Sequence, residues 1–251
     1  MSQEHTYSGV ADDFSVDMHL NTEMELPSNR DTLLHYFEQL QKRFPSMRNF
    51  YNRARTDYVL EEEKDEGTYS WASVEPHRIG SGHVNPKCLD TIFEHQRIVL
   101  ESVPHLLSVS PLDCESLTVT FSFQFDYEGN HNDLLAEAIG VPAGLEGTTD
   151  SVGRSRMVAF DPSLRIALSE DCRTQARIHF NNPTTAYHVR TGEFPEPTLG
   201  VCLTVLRYGS LAKNETYVSR FNDLVAHGNE ILNKQIMEQV LLPLQHAIGI
   251  K

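Results

Sequence analysis

Between Leu117 and Phe125 five apolar side chains, Leu117, Val119, Phe121, Phe123 and Phe125, alternate with Thr118, Thr120, Ser122 and Gln124, and Asp126 continues the polar series. Successive side chains on a strand point to opposite faces, so a strict period of two describes a strand with one face on a core and the other polar. The open side of an antiparallel sheet has this character. Phe14, Val16, Met18 and Leu20 alternate in the same way with Ser15, Asp17, His19 and Asn21, and Leu199, Val201, Leu203 and Val205 do so against Gly200, Cys202 and Thr204.

Between these strands the period changes to that of helices. Leu33, Leu34, Phe37, Leu40, Phe44 and Met47 predict a helix capped by Ser28 and ended or bent by Pro45. Tyr58–Glu63 and Thr68–Val74 flank a Lys64-Asp65-Glu66-Gly67 turn and read as a hairpin. Leu89, Ile92, Phe93, Val99, Leu100 and Val103 predict a second helix, introduced by Asn85-Pro86 and stopped or kinked at Pro104. After Leu117–Tyr127 the order begins again: a short helix Asp133–Ile139, an irregular loop Ala143–Arg156, and a strand pair, Met157–Phe160 with Leu164–Leu168. A strand over Ala176–Phe180, the strand from Leu199, and a long helix from near Asn214 to Pro243 complete it. The class is therefore α+β, with largely antiparallel sheet and helices packed on one face. The recurring order divides the chain into halves, 14–110 and 111–251, after a disordered lead 1–13. The halves arise from either internal duplication, with an extra strand in the second, or chance recurrence, and they are compatible with one continuous domain.

With 251 residues, 39% hydrophobic and 22% charged, the chain can bury a core unaided. Cys88, Cys114, Cys172 and Cys202 show no C-x-x-C spacing, which favours reduced thiols and a cytoplasmic location over a zinc knuckle or redox dithiol. No apolar run is long enough to span a bilayer, and the polar start shows no secretory pattern. A net charge of −14 disfavours nucleic acid and anionic membrane surfaces.

Three segments carry candidate chemistry. In His77–Pro86, Gly80 and Gly82 precede a predicted helix and would let backbone amides approach an anion, with His77, Arg78 and His83 adding charge. Neither nucleotide-binding glycine motif is complete, and a plain turn with a helix cap is the simpler explanation. Asp126–Asp133 brings acids and His131 together in a pattern suited to a divalent metal or proton transfer, although Asn130 or Asn132 equally makes a helix cap. In the third, Arg177 and His179 lie on the polar side of a strand, and Tyr187, His188 and Arg190 would approach them if the chain folds back, a set suited to anion binding or proton transfer. The basic stretch Arg48–Arg55 complements a helix C-terminus. No H-E-x-x-H occurs, so no metal motif is signalled, although three histidines could still converge in space; no G-x-S-x-G supports a serine hydrolase, and the cofactor is unknown.

The expected function is ligand binding or assembly through the polar sheet face or an adjacent cleft, the partner being a small molecule, another protein or a second copy. The alternative is an enzyme using Asp126, Arg177, His179, His188 and Arg190.

Overall fold

A computed structural model describes residues 7, 9–64, 67–148, 155–194 and 197–250. Nine strands form one antiparallel sheet: β1 (Asp13–Thr22), β2 (Asn49–Ala54), β3 (Asp57–Glu61), β4 (Tyr69–Glu75), β5 (Arg78–Val84), β6 (Cys114–Phe125), β7 (Ser163–Ala167), β8 (Thr174–Asn181) and β9 (Leu199–Tyr208). Their spatial order is β2-β3-β4-β5-β1-β6-β9-β8-β7. The two strands with the clearest alternation, β1 and β6, lie side by side at the centre. Outward from that pair each side runs backwards through its own later strands, so β5 flanks β1 and β9 flanks β6.

The helices are α1 (Arg30–Arg43), α2 (Leu89–Leu106), α3 (His131–Ile139), α4 (Ala186–Thr191), α5 (Tyr217–Ile231) and α6 (Leu242–Ile250). Asn29 rather than Ser28 caps α1, its side chain accepting from the Thr32 N–H at 2.8 Å. Pro104 sits within the last turn of α2 without ending it early. The C-terminal helix also passes through its proline: a π-helical stretch, Leu232–Leu241, joins α5 to α6 just before Pro243. Proline lacks a backbone donor and crowds the carbonyl four residues back, and wide π turns change which carbonyl stands there.

The helices and the sheet bury a single apolar layer. Val16, Met18 and Leu20 of β1, Val119, Phe121 and Phe123 of β6, and Val201, Leu203 and Val205 of β9 meet Ile92, Val99 and Leu100 of α2 and Phe221 and Leu224 of α5 in one cluster. At its middle Gly228 of α5 lies against the Phe121 ring, so closely that a methyl group there would overlap the ring. The cluster extends across both halves, which share one sheet and one core. It also takes in Tyr7, only 3% exposed, whose hydroxyl donates to Asn233 Oδ1 at 3.0 Å and whose ring packs on Phe14 and Phe123.

Two strands differ from the sequence expectation. Asn49–Ala54 is the edge strand β2 rather than a basic helix end, and the segment read as a glycine loop before a helix is the paired strand β5. The first half therefore has five strands and the second four, the reverse of the expected imbalance. Met157–Phe160 forms no strand: the Met157 carbonyl accepts from Asn130 Nδ2 at 2.9 Å and the Phe160 N–H donates to Asn132 Oδ1 at 2.8 Å, so side chains at the start of α3 take the place of a neighbouring strand. Asp65, Glu66 and residues 149–154, within the expected turn and loop, lie outside the described residues.

Candidate functional site

With the helices on one side, the other side of the sheet presents the alternate residues of every strand. The pairing registers align Asn49, Glu61, Trp71, Gly82, Asp17, Thr120, Thr204, Arg177 and Arg165 in one row across all nine strands. This face is polar, and its central side chains are half-buried by one another.

At the centre of the first half the indole of Trp71 lies over β5. A Cβ on Gly82 would fall 2.6 Å from Trp71 Nε1, and one on Gly80 would fall 2.9 Å from Cζ3. Glycine in a strand interior marks such a close approach. The indole N–H and the Ser15 hydroxyl, at 3.1 Å, both donate to the Asp17 carboxylate. Hydrogen bonds of this kind favour the charged form, but burial outweighs them and pushes Asp17 up to about 6. Beside it His19, with its ring 5.9 Å from Trp71, is lowered to about 4 by burial, reinforced by Arg78 and Arg53, so its imidazole is neutral near pH 7. The Asp17 carboxyl can thus exchange a proton near neutrality, next to a neutral imidazole and an aromatic plate.

The second half of the face has a floor of hydroxyls and a thiol. Thr120 and Thr204 share a hydrogen bond of 3.1 Å across β6 and β9, and Cys202 lies 3.6 Å from both Ser122 Oγ and Asn181 Nδ2. Burial raises the Cys202 thiol, which disfavours the thiolate needed for nucleophilic attack. At the ends of β8 and β9 a cleft of about 530 Å³ opens, lined by Phe160, Asp161, Asn181, Asn182 and Thr198 among others. Its amides brace the wall: Asn182 Nδ2 donates to Asn132 Oδ1 at 2.7 Å, and Thr198 Oγ1 donates to Gln124 Oε1 at 2.8 Å.

The eight residues singled out in the sequence are dispersed. Arg177 and His179 share the polar face, opposite Thr204 and Cys202. Arg78 joins them on it, far to the other side, where its Nε donates to Asn21 Oδ1 at 2.9 Å. His83 points to the helical side and binds the Ser70 and Thr68 hydroxyls at 2.7 and 3.2 Å. His77 sits in the β4–β5 turn, 3.3 Å from the Thr22 carbonyl oxygen. Asp126 follows the end of β6, its backbone N–H donating to Asp12 Oδ2. Ser122 is level with His179, which leaves Asp126 two strands and four residues away, about 16 Å at ordinary sheet spacings. His188 and Arg190 are on α4, where His188 Nδ1 accepts from the Thr185 N–H and Arg190 lies over the Tyr187 ring. Asp126 therefore does not reach His179, and the contacts of His188 and Arg190 are local to α4 and its cap.

His131 starts α3 behind an Asn130 cap, and its Nδ1 meets the Thr184 hydroxyl at 2.7 Å. Among the described residues no group of three or more His, Cys, Asp or Glu side chains is placed to hold a metal, and no helix is long and apolar enough to cross a membrane.

No protein-family model matches the chain, and no curated protein matches it.

The residues that sequence reasoning passed over are Asp17, His19, Trp71 and Cys202. The spacing Gly80-Ser81-Gly82 a few residues after the only tryptophan was their signal, read as a strand yielding space to an aromatic ring rather than as a loop. Gly82→Ala is accordingly expected to dislodge the indole. Urea unfolding should show a loss of about 1–2 kcal/mol, within the usual cost of overpacking, and the single-tryptophan emission should move to longer wavelength.

Proposed function

We propose that this protein binds a small molecule on the uncovered polar face of its sheet. The observation that carries this reading is the central row from Trp71 through Asp17, Thr120 and Thr204 to Arg177, where an aromatic plate, a proton-exchanging carboxyl, hydroxyls and a cation lie on one continuous surface. Ligand sites combine apolar area with a few convergent polar groups and a perturbed titrating residue in this way. The neighbouring cleft beside Asn181 extends the surface. A cytoplasmic setting suits its four free cysteines, and pairing of two copies through the same face would compete with the ligand.

Acid/base catalysis is the second reading, and the elevated Asp17 carboxyl favours it; Asp17 rather than Asp126 would then move the proton.

Trp71 is the only tryptophan, so its emission reports on the site. In a small-molecule library followed by thermal shift and Trp71 fluorescence, compounds that stabilise the wild-type protein should fail to stabilise Thr120→Phe, which fills the floor of the row. The far-UV spectrum and ligand-free melting of that variant establish that it is folded. Ligands that stabilise both proteins equally would place binding elsewhere and end this reading.

A further inference from the structure

The arginines of the two halves of the polar face differ in their surroundings. Arg53 is paired with Asp57 and Glu75, and Arg78 lies 3.9 Å from Glu75. Arg165 and Arg177 stand directly opposite each other on β7 and β8, and neither forms an ion pair among the described residues. Like charges facing across a strand pair destabilise it, and although the chain carries a net charge of −14, the one carboxylate among the described residues that acts on this corner, Asp161, forms no ion pair with either arginine. Two residues along β8 from this pair's row, and on the same face, His179 keeps a buried Nδ1 with no hydrogen-bond partner, and Ser163 faces it across the strands. Burial and Arg177 lower the His179 pKa, while Asp161 acts on it in the opposite sense.

We propose that Arg165, Arg177 and His179 form a subsite for an oxyanion, a carboxylate or phosphate, and that the ligand of the polar face is a small organic anion anchored there. This rests on the polar face being the ligand surface. Two guanidinium groups offer planar donors matched to carboxylate or phosphate oxygens, and the bound anion would relieve their mutual repulsion and place a negative charge beside the His179 imidazole. From Arg177 to Asp17 the row spans three strand spacings, about 14 Å. A ligand anchored at the arginines can therefore lie along Thr204 and Thr120 and bring its far end to Asp17 and the indole.

The test follows the His179 imidazole by NMR in histidine-labelled protein. Its pH titration is recorded with inorganic phosphate, phenyl phosphate or benzoate, against chloride at matched ionic strength. An oxyanion among the arginines should raise the His179 midpoint by about half a pH unit or more. Arg165→Gln/Arg177→Gln should abolish the rise, while Arg30→Gln, on the first turn of α1, should leave it intact. A rise with phenyl phosphate or benzoate that also changes Trp71 emission identifies an organic anion; a rise with inorganic phosphate alone assigns the subsite to the free ion and overturns the organic ligand. No rise beyond chloride, or a rise that survives in the double variant, overturns the subsite. A neutral compound that stabilises the wild type but not Thr120→Phe would leave the face as a ligand surface while removing the anionic ligand.

Discussion

Phe121→Ala is expected to cost about 3–5 kcal/mol of folding stability, read as a lower urea midpoint with a nearly unchanged slope. Phe121 is fully buried near the middle of β6, with its ring edge-on to Phe93 of α2 and against the backbone of α5 at Gly228. Removing the ring opens a cavity between the sheet and two helices, each held by other contacts and unable to collapse fully into it. The same contact explains Gly228. Alanine inside a helix is ordinarily better than glycine by about 1 kcal/mol, yet a methyl at 228 would enter the Phe121 ring. Gly228→Ala should therefore destabilise the protein. Combined with Phe121→Leu it should cost less than the two changes added together, because the neighbours share one space.

Asp17→Asn is expected to stabilise the protein at pH 8 by about 3 kcal/mol and to have little effect at pH 4. In the fold the Asp17 carboxyl is pushed up by burial to about 6 from its ordinary 3.8. The folded state then holds this proton more tightly than the unfolded chain. Its penalty on stability is absent below about pH 4, grows as pH rises through 6, and is complete above it. Asparagine stays neutral at every pH and keeps an oxygen to accept from Ser15 and Trp71. Since His19, lowered to about 4, penalises the fold as the pH falls below 6.5, variant and wild type are compared at each pH by urea unfolding. A gain of equal size at pH 4 and pH 8 would mean that the carboxyl is not perturbed by burial. A charge kept where a neutral amide would be more stable is the pattern expected at a site that binds or exchanges protons.

The central strands were legible in the sequence because each is half-buried along its whole length, so Phe14–Leu20 and Leu117–Phe125 display their environment residue by residue. The edge strand β2 was not, since five of its six residues are exposed and nothing imposes alternation on them. Strand β5 was hidden for another reason: its glycines answer to Trp71 on β4 and Asp17 on β1, and that requirement appears only when the three strands are side by side. The candidate site was partly legible. Arg177 and His179 fall on the polar face as their alternation indicates, whereas Asp126 continues the pattern of β6 past the point where the sheet ends. Asp17 was read as an ordinary polar position because its burial depends on the indole above its neighbour.

The seam between β1 and β6 also governs how the chain comes together. It pairs Asp13 with Gln124 and Leu20 with Leu117, so it closes a loop of about 100 residues, at a chain-entropy cost of about 4 kcal/mol. The flanking pairings close long connections too, since Asn21 pairs with Arg78 and Leu117 with Arg207, but only the seam ties one half of the sheet to the other. Covalent continuity through Ser108, between α2 and β6, limits that cost to a single intramolecular closure. Cut there, the same ladder would become a bimolecular interface, and recovery of the fold would depend on the concentration of the two fragments.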